Sequence, residues 1–280
     1  MTIPSAPNPI KFSDINKELS RTSNTRFDFD DADGRKLASA GFTGQSLTSG
    51  TKVKLSNFSN HSRANIIISS DTLNANVLVS AKGVSYSFNN TYVTMTVNSG
   101  IYVGSSVRTS PSVAIGGFGS GDIVEIKNYG TIIGAGGDGG AAGYGGSGAT
   151  VGLDGGNAIF ASQYITVQNN GTIAGGGGGG GGNTGYAQQQ GILGGVKYTA
   201  GGAGGGGAGY VGGVGYVDGN RTQGGGGYNS AGGGGGPGQA GQGNYPVGEG
   251  RALAPGDSGY YVNGSTYVTL TGNTGLGRIV

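Results

Sequence analysis

Residues 175–182 are eight consecutive glycines, and 50 of the chain's 68 glycines fall between residues 131 and 250. A segment like this either stays a solvated tether or folds into something only residues without a Cβ can build. Glycine loses more backbone entropy on ordering than any other residue, so the second outcome needs a compensating geometry. Composition separates the two. Disordered segments stay solvated through high charge and low hydrophobicity, yet only 9 of the 30 Lys, Arg, Asp and Glu residues lie beyond residue 130, where tyrosine, valine and isoleucine recur. The glycine blocks at 134–148, 175–182, 201–209, 212–215, 224–227 and 232–243 are interrupted by "NTGYAQQQ", "VKYTA", "YVDGNRTQ", "YNSA" and "GNYPVGEG". Flexible Gly/Ser linkers do not alternate with tyrosine in this way. The pattern predicts a bundle of polyglycine II helices, threefold and without internal hydrogen bonds, whose N–H and C=O groups point sideways to neighbouring helices. A structureless loop of comparable length would be unusual in a compact domain.

A weak internal repeat runs through the rest of the chain. Its copies are "YVTMTVNSGIYVG" (92–104), "IVEIKNYGTIIG" (123–134), "YITVQNNGTIAG" (164–175) and "YVTLTGNTGLGRI" (267–279). Each is an alternating strand, an Asn/Gly turn and a short apolar strand, with Asn and Gly expected to supply positive φ at the turn. Upstream of each lies a further short segment, "SYSFNN", "SVAIGGF", "NAIFAS" or "GYYVNG". Strand, turn, strand, turn, strand is the unit of a β-solenoid rung or a stacked β-prism. The turn glycines Gly100, Gly130, Gly171 and Gly275 are unevenly spaced, so the glycine inserts are loops of variable length expected to leave one end of the strands.

The first sixty residues differ from both regions. "PIKFSDINKELSR" predicts a short helix with Ser13 as N-cap and Ile15 and Leu19 on one face. Asp30 or Asp31 caps a second helix running through Leu37, with Gly41 as its stop. "TKVKLSNF" alternates as a half-buried strand. The expected fold class is therefore mainly β with a small N-terminal α+β head, repeated short strands in a solenoid- or prism-like stack, and a glycine-rich polyglycine II bundle. Domain boundaries are expected at 1–60, 61–133 and 134–280.

Several functions are excluded or unsupported. There is no cysteine, which removes disulfides and thiolate metal sites. A net charge of +2 without a basic cluster argues against nucleic acid. No apolar stretch is long enough to cross a bilayer. "GDSG" (256–259) lacks a supported histidine, since His61 is the only one and sits in a polar "NFSNHSRAN" stretch read as surface. "GQSLTSGTK" (44–52) misses the Gly-Lys pair of a phosphate loop. "DFDDADG" (28–34) places Phe29 and Ala40 where calcium ligands belong. No metal, cofactor or catalytic site is expected, and the few acidic residues among the repeats, Asp122 and Glu125, do not favour a polysaccharide depolymerase.

Two resemblances bear on function. Ile10, Phe12, Ser13, Ile15, Asn16, Glu18, Leu19, Leu37, Ala38, Leu55 and Phe58 fill the pattern of a module that opens many bacteriophage tail and baseplate proteins. This resemblance implies docking on other phage tail or baseplate proteins, with Phe12, Ile15, Leu19, Leu37 and Phe58 as docking residues. Residues 131–250 resemble, in composition and layout, the receptor-recognising tip adhesins of T-even-like phage long tail fibres. The attachment region of those adhesins is not matched by residues 1–130, so mounting is expected through the N-terminal module. The breaks use Tyr, Asn, Ser and Gly, the alphabet of antibody paratopes, where tyrosine gives large contact area at low entropic cost. Tyr144, Tyr186, Tyr198, Tyr210, Tyr216, Tyr228 and Tyr245, with Arg221 as charged anchor, are the expected receptor contacts. The expected role is a tail receptor-binding adhesin meeting a host surface protein or glycan; the alternative is a purely structural tail-tip, collar or decoration protein. "MTIPSAPNPIKFSD" has no apolar signal-peptide core, which fits a virion tail protein made in the host cytoplasm. A homotrimer is expected from how tail fibres are built.

Overall fold

The computed structural model of the chain describes residues 14–16, 19, 36–37, 61–144, 147–185, 187–189, 196–198, 203–204, 206–228, 231–243 and 253–280. Through the strand region the backbone winds five times through three sheets, always in the same order. The first turn is β1 (Ser62–Ile68), β2 (Thr72–Leu73) and β3 (Ala75–Asn76), followed by a short helix α1 (Val77–Lys82). The second is β4 (Thr91–Val97), β5 (Tyr102–Gly104) and β6 (Val113–Ile115). The third is β7 (Ile123–Asn128), β8 (Thr131–Ile133) and β9 (Ile159–Ala161). In the fourth turn β10 (Ile165–Asn169) and β11 (Thr172–Ala174) come first. An antiparallel pair, β12 (Ala187–Gln189) and β13 (Val196–Tyr198), intervenes before the turn closes with β14 (Tyr260–Asn263). The fifth is β15 (Val268–Gly272), a bridge from Leu276 to Ala174, and β16 (Arg278–Ile279). Apart from β12 and β13, every strand pairs in parallel with its counterpart one turn away.

The period-two alternation decides which side chains face in. Ala64, Val93 and Val124 share one register position, and Ile66, Met95, Ile126, Val167 and Leu270 share the next inward one. Their partners on the other face are polar, as Asn65, Thr94, Glu125 and Thr166 show. Inward residues of the other two sheets, including Val103, Ile132, Ile173, Val113, Ile159 and Val262, close the same core. Two buried amides hold one corner: Asn128 Nδ2 donates to Asn169 Oδ1 at 2.8 Å, and Asn169 Nδ2 donates to the Asn273 carbonyl at 2.9 Å. Each also takes a turn N–H on its own Oδ1, from Gly130 and Gly171 respectively.

Four expectations need correction here. Only Gly100 of the four turn glycines has positive φ (+78°). Gly130 and Gly171 are required instead because a Cβ would overlap backbone carbonyls of the neighbouring turn. Ser85–Asn90 carries no strand and ends in a turn at Phe88 and Asn89. The loops leave from one corner, between the second and third sheets, not from one end: residues 105–112, 134–158 and 175–259 all depart there. The sheets also run without a break from residue 62 to 279, across the compositional boundary at 133/134.

Glycine segments leaving that corner form a hydrogen-bonded lattice. Along 175–182, Gly176, Gly179 and Gly182 donate to Gly156, Leu153 and Thr150 of one antiparallel neighbour. Gly178 and Gly181 donate to Gln239 and Gln242 of another segment, and Gly177 to Ala208 of a third. The carbonyls of Gly177 and Gly180 accept from Gly137 and Gly140, those of Gly178 and Gly181 from Gly235 and Gly232, and those of Gly176, Gly179 and Gly182 from Gly259, Gly256 and Leu253. Every third residue thus addresses the same neighbour, and the central run has six. None of Gly175–Gly182 has positive φ. Glycine is needed here for approach: a Cβ on any of them would come well inside 3.0 Å of a neighbouring backbone oxygen.

Among residues before 61, Ile15, Leu19 and Leu37 are buried, and Leu19 N donates to Ile15 O at 2.9 Å, as the expected helix requires. Arg63 Nη1 reaches the Leu19 carbonyl at 2.9 Å. Lys36 Nζ reaches Glu125, buried at 1 % exposure, at 2.6 Å. Glu125 also accepts from the Tyr92 hydroxyl and from Gln168 Nε2. Burial pushes the Glu125 carboxyl up, but the hydrogen bonds from Lys36 and Tyr92, with the charges of Lys36 and Lys127, outweigh this and hold it below its ordinary value. The expected docking residues Ile15, Leu19 and Leu37 are thus each buried within this chain at 4 % exposure or less, with Arg63 and Lys36 tying their segments to the exterior face of the first sheet. Phe12 and Phe58, and the strand expected at 51–58, lie outside the described residues.

His61, expected at the surface, is 4 % exposed at the start of β1. Burial lowers its pKa to about 4, against a backbone hydrogen bond with Leu37 that raises it. The unfolded chain therefore binds a proton between pH 6.5 and 4 that the folded chain refuses. Stability is complete above pH 6.5 and falls through that window, by about 2 kcal/mol at pH 5. Glu125, whose folded value is depressed, adds its own loss only below its ordinary value of 4.5. Urea unfolding at pH 7 and pH 5 should show the loss, and His61→Gln should flatten the slope; equal slopes in the two proteins would remove His61 as its source.

Candidate functional site

The lattice has two ends, which the hydrogen-bond register distinguishes. Gly175 lies at the base, where its N–H meets Leu276 of the fifth turn. Gly182 lies at the far end, paired with Thr150 and Leu253. Reversals at the far end carry three of the expected receptor contacts. Tyr144 and Ser147 exchange backbone bonds one residue beyond Gly143, which donates to Asn183. Tyr228 N donates to Ala203 O and closes a turn with Ala231. Tyr216 N donates to Gly204 O, and Gly204 in turn pairs with Gly140. Tyr144, Tyr216 and Tyr228 are 60 %, 56 % and 52 % exposed. The rings of Tyr216 and Tyr228 stack with centroids 4.6 Å apart and planes 29° apart. Val214 and Val217, beside Tyr216 in sequence, are exposed as well. Buried tyrosines normally satisfy both ring and hydroxyl; a stacked pair left in water is a rigid amphipathic surface already in position for contact.

Tyr210 and Arg221 are placed differently from the expectation. Tyr210 N donates to Gly134 at the base, and its ring lies so close over Gly104 that a Cβ there would overlap it. The Arg221 guanidinium lies over the rings of Tyr210 and Tyr102, at 4.2 and 4.8 Å from their centroids, and Nη1 reaches Asp71 at 3.0 Å. The Tyr102 N–H holds the Asp71 carboxyl below the usual range, helped by Arg221 and the Tyr210 hydroxyl. This cluster joins the base of the lattice to the second sheet, so Arg221 is committed within the chain and is not a free anchor. Arg278 does the same at the third sheet, with Asp257 at 2.8 Å and the Tyr260 ring at 4.5 Å. Tyr198 lies on β13, its backbone opposite Ala187. Tyr186 and Tyr245 lie outside the described residues.

Other features carry less chemistry. A groove of about 310 Å³ runs between Ser106–Thr109, Ala135–Asp138 and Val211–Val214. Asp122 accepts from the Tyr86 hydroxyl and from the N–H groups of Thr91 and Gly119, and so is engaged in the fold. Burial, then Asp122, raises the Tyr86 phenol above its ordinary value. Among the described residues no group of three or more His, Cys, Asp or Glu is placed to hold a metal.

The parallel-stranded base thus holds exposed aromatic turns at the far end of a backbone lattice. The chain belongs to the phage tail fibre adhesin Gp38 family, whose model matches residues 63–280. It is a receptor-binding tail adhesin. No curated protein matches it. Among solved structures, that of the gp37-gp38 adhesin tip complex of the bacteriophage S16 long tail fiber matches with a TM-score of 0.54 and 19 % identity, over 88 % of this chain and 96 % of that one. The family match begins at residue 63 and takes in β1–β8. This overturns the expectation that only the glycine region resembles these adhesins, which arose because short parallel strands carry little sequence signal beyond alternation.

Proposed function

We propose that this adhesin meets its host receptor, a surface protein or glycan, through the far-end turns carrying Tyr144, Tyr216 and Tyr228, joined by the Tyr186, Tyr198 and Tyr245 segments. The stacked, exposed Tyr216–Tyr228 pair carries this reading. The glycine segments act as a polyglycine II bundle: the every-third-residue bonding along 175–182 has the periodicity of that threefold helix. Such a scaffold is saturated with hydrogen bonds and independent of side chains, so its turns can change in sequence without moving their supports. The strand region acts as a β-solenoid mount. The S16 relative forms a complex with gp37, and by analogy this chain mounts on another tail fibre protein, in the tail of the virion. Residues 1–60 serve as an N-terminal module that contributes to that mounting.

Exchanging residues 134–259 between two related phages of different host range tests the reading. Host range should follow the exchanged segment. If it follows the strand region instead, the bundle only stiffens the tip and the structural alternative replaces this one.

A further inference from the structure

We infer that the groove on the side of the bundle is a second binding site, separate from the far-end tyrosine turns, for a saccharide that carries an acidic group. Arg63, Arg221 and Arg278 are each engaged within the chain, by the Leu19 carbonyl, Asp71 and Asp257 respectively. Arg108 has no hydrogen bond, ion pair or ring contact with any described residue, and it lines the groove. Thr109 beside it is exposed, with its hydroxyl likewise unengaged among the described residues. On the lattice side, Asp138 takes the Val214 N–H on Oδ1 at 2.8 Å, which leaves Oδ2 open as an acceptor. Val107, Val211 and Val214, all at least 43 % exposed, give an aliphatic lining between these polar groups.

The wall that carries Arg108 is held in place from within. Ser105, fully buried, sets its Oγ 2.6 and 2.8 Å from the Val107 and Ser110 carbonyls. Asn74 takes the Ser106 N–H on Oδ1 and donates from Nδ2 to Ser106 Oγ at 2.7 Å. A preformed wall loses little freedom when a ligand arrives. The occupant follows from what the groove leaves unpaired. At about 310 Å³ it is at the small end of ligand sites, room for a short saccharide and not for a folded partner. An extended peptide would need a free backbone edge to pair with. The lattice wall offers none of its N–H groups: those of Gly136, Gly139, Gly213 and Val214 are bound to Val211, Val214, Gly207 and Asp138. The forked donors of the guanidinium fit a carboxylate or phosphate. Asp138 and Thr109 fit ring hydroxyls, and the valines fit the C–H faces of a ring. An acidic sugar presents all three groups; a free anion presents only the first and has nothing to donate to Asp138.

The test is a titration of the full chain, isotope-labelled at its valine methyls, with methyl glucuronide, methyl glucoside and inorganic phosphate. Methyl glucuronide should shift the methyl signals of Val107, Val211 and Val214. It should bind about tenfold more tightly than methyl glucoside, the scale of one charge-assisted hydrogen bond. Arg108→Gln should bring the two sugars to equal affinity with the rest of the methyl spectrum kept. Lys82→Gln, which removes an exposed cation of α1, should keep the wild-type ratio. Equal binding of the two sugars by the wild-type chain, no binding of methyl glucuronide, or an unchanged ratio in Arg108→Gln overturns the inference. Phosphate binding as tight as that of methyl glucuronide reduces the groove to an anion site and overturns the saccharide. None of these outcomes touches the far-end tyrosine turns, whose test is host range.

Discussion

Gly178→Ala should destabilise the bundle by about 3 kcal/mol or more, and Gly178→Val by more still, placing them among the largest effects of a single substitution. The Cβ of residue 178 would overlap the Gly256 carbonyl oxygen. Those atoms are backbone on both sides, so no side-chain rotation relieves the clash. Moving either segment breaks bonds on each, since Gly178 donates to Gln239 and accepts from Gly235 while Gly256 donates to Gly179. The matched control is Gly226→Ala. Its Cβ meets nothing within 4 Å and its φ is not positive, so the change should lie within about 0.5 kcal/mol of zero, with reduced unfolded-state entropy favouring the variant. Thermal unfolding and resistance to protease across residues 175–257 read both. Similar losses at the two positions would mean that glycine is needed for flexibility and not for approach.

Removing either ring of the stacked pair should cost receptor binding on the scale of an interface hot spot. Tyr216→Ala and Tyr228→Ala are each expected to lose about 2 kcal/mol of affinity, roughly thirtyfold, seen mainly as faster dissociation. Because each ring positions the other, the double substitution should lose less than the sum of the two. Tyr210→Ala provides the contrast. Its ring supports the basal cluster with Arg221 and Asp71, so it should lower the melting temperature and leave adsorption per folded molecule unchanged. Adsorption of variant virions to the host, with folding checked by thermal unfolding, separates the cases. Normal adsorption of both distal variants would leave these tyrosines as caps of the bundle.

The sites readable from sequence and those that were not differ in one physical respect. Tyr216 and Tyr228 could be placed at turns because each interrupts a glycine block, which is a local signal. Arg221 interrupts one too, yet it pairs with Asp71, 150 residues away. His61 sits in a stretch of Asn, Ser and Arg that gives no sign of burial, and its hydrogen-bond partner, the Leu37 backbone, lies elsewhere in the chain. Within the first turn of the winding, β2 and β3 were missed because they are two residues each, too short for alternation to register. α1 was missed as well, although Asn76 caps it by accepting from Val79 N; that cap, followed by an apolar run with Lys82 and Gly83 at its close, was a usable signal.

The amino-acid sequence by itself determined what depends on neighbours along the chain. Alternation set which face of each strand is apolar, the glycine blocks set which segments can approach one another without Cβ atoms, and the tyrosine-bearing breaks set where the backbone reverses. Tertiary structure decided which segment lies beside which. The partners of Gly176–Gly182 come from six stretches between residues 137 and 259, and glycines are interchangeable to any local reading. It also decided which breaks face solvent and which fold back on the sheets, because out-and-back segments of fixed rise alternate between the two ends of the bundle. Tyr228 therefore reaches the far end while Arg221, seven residues earlier, returns to the base.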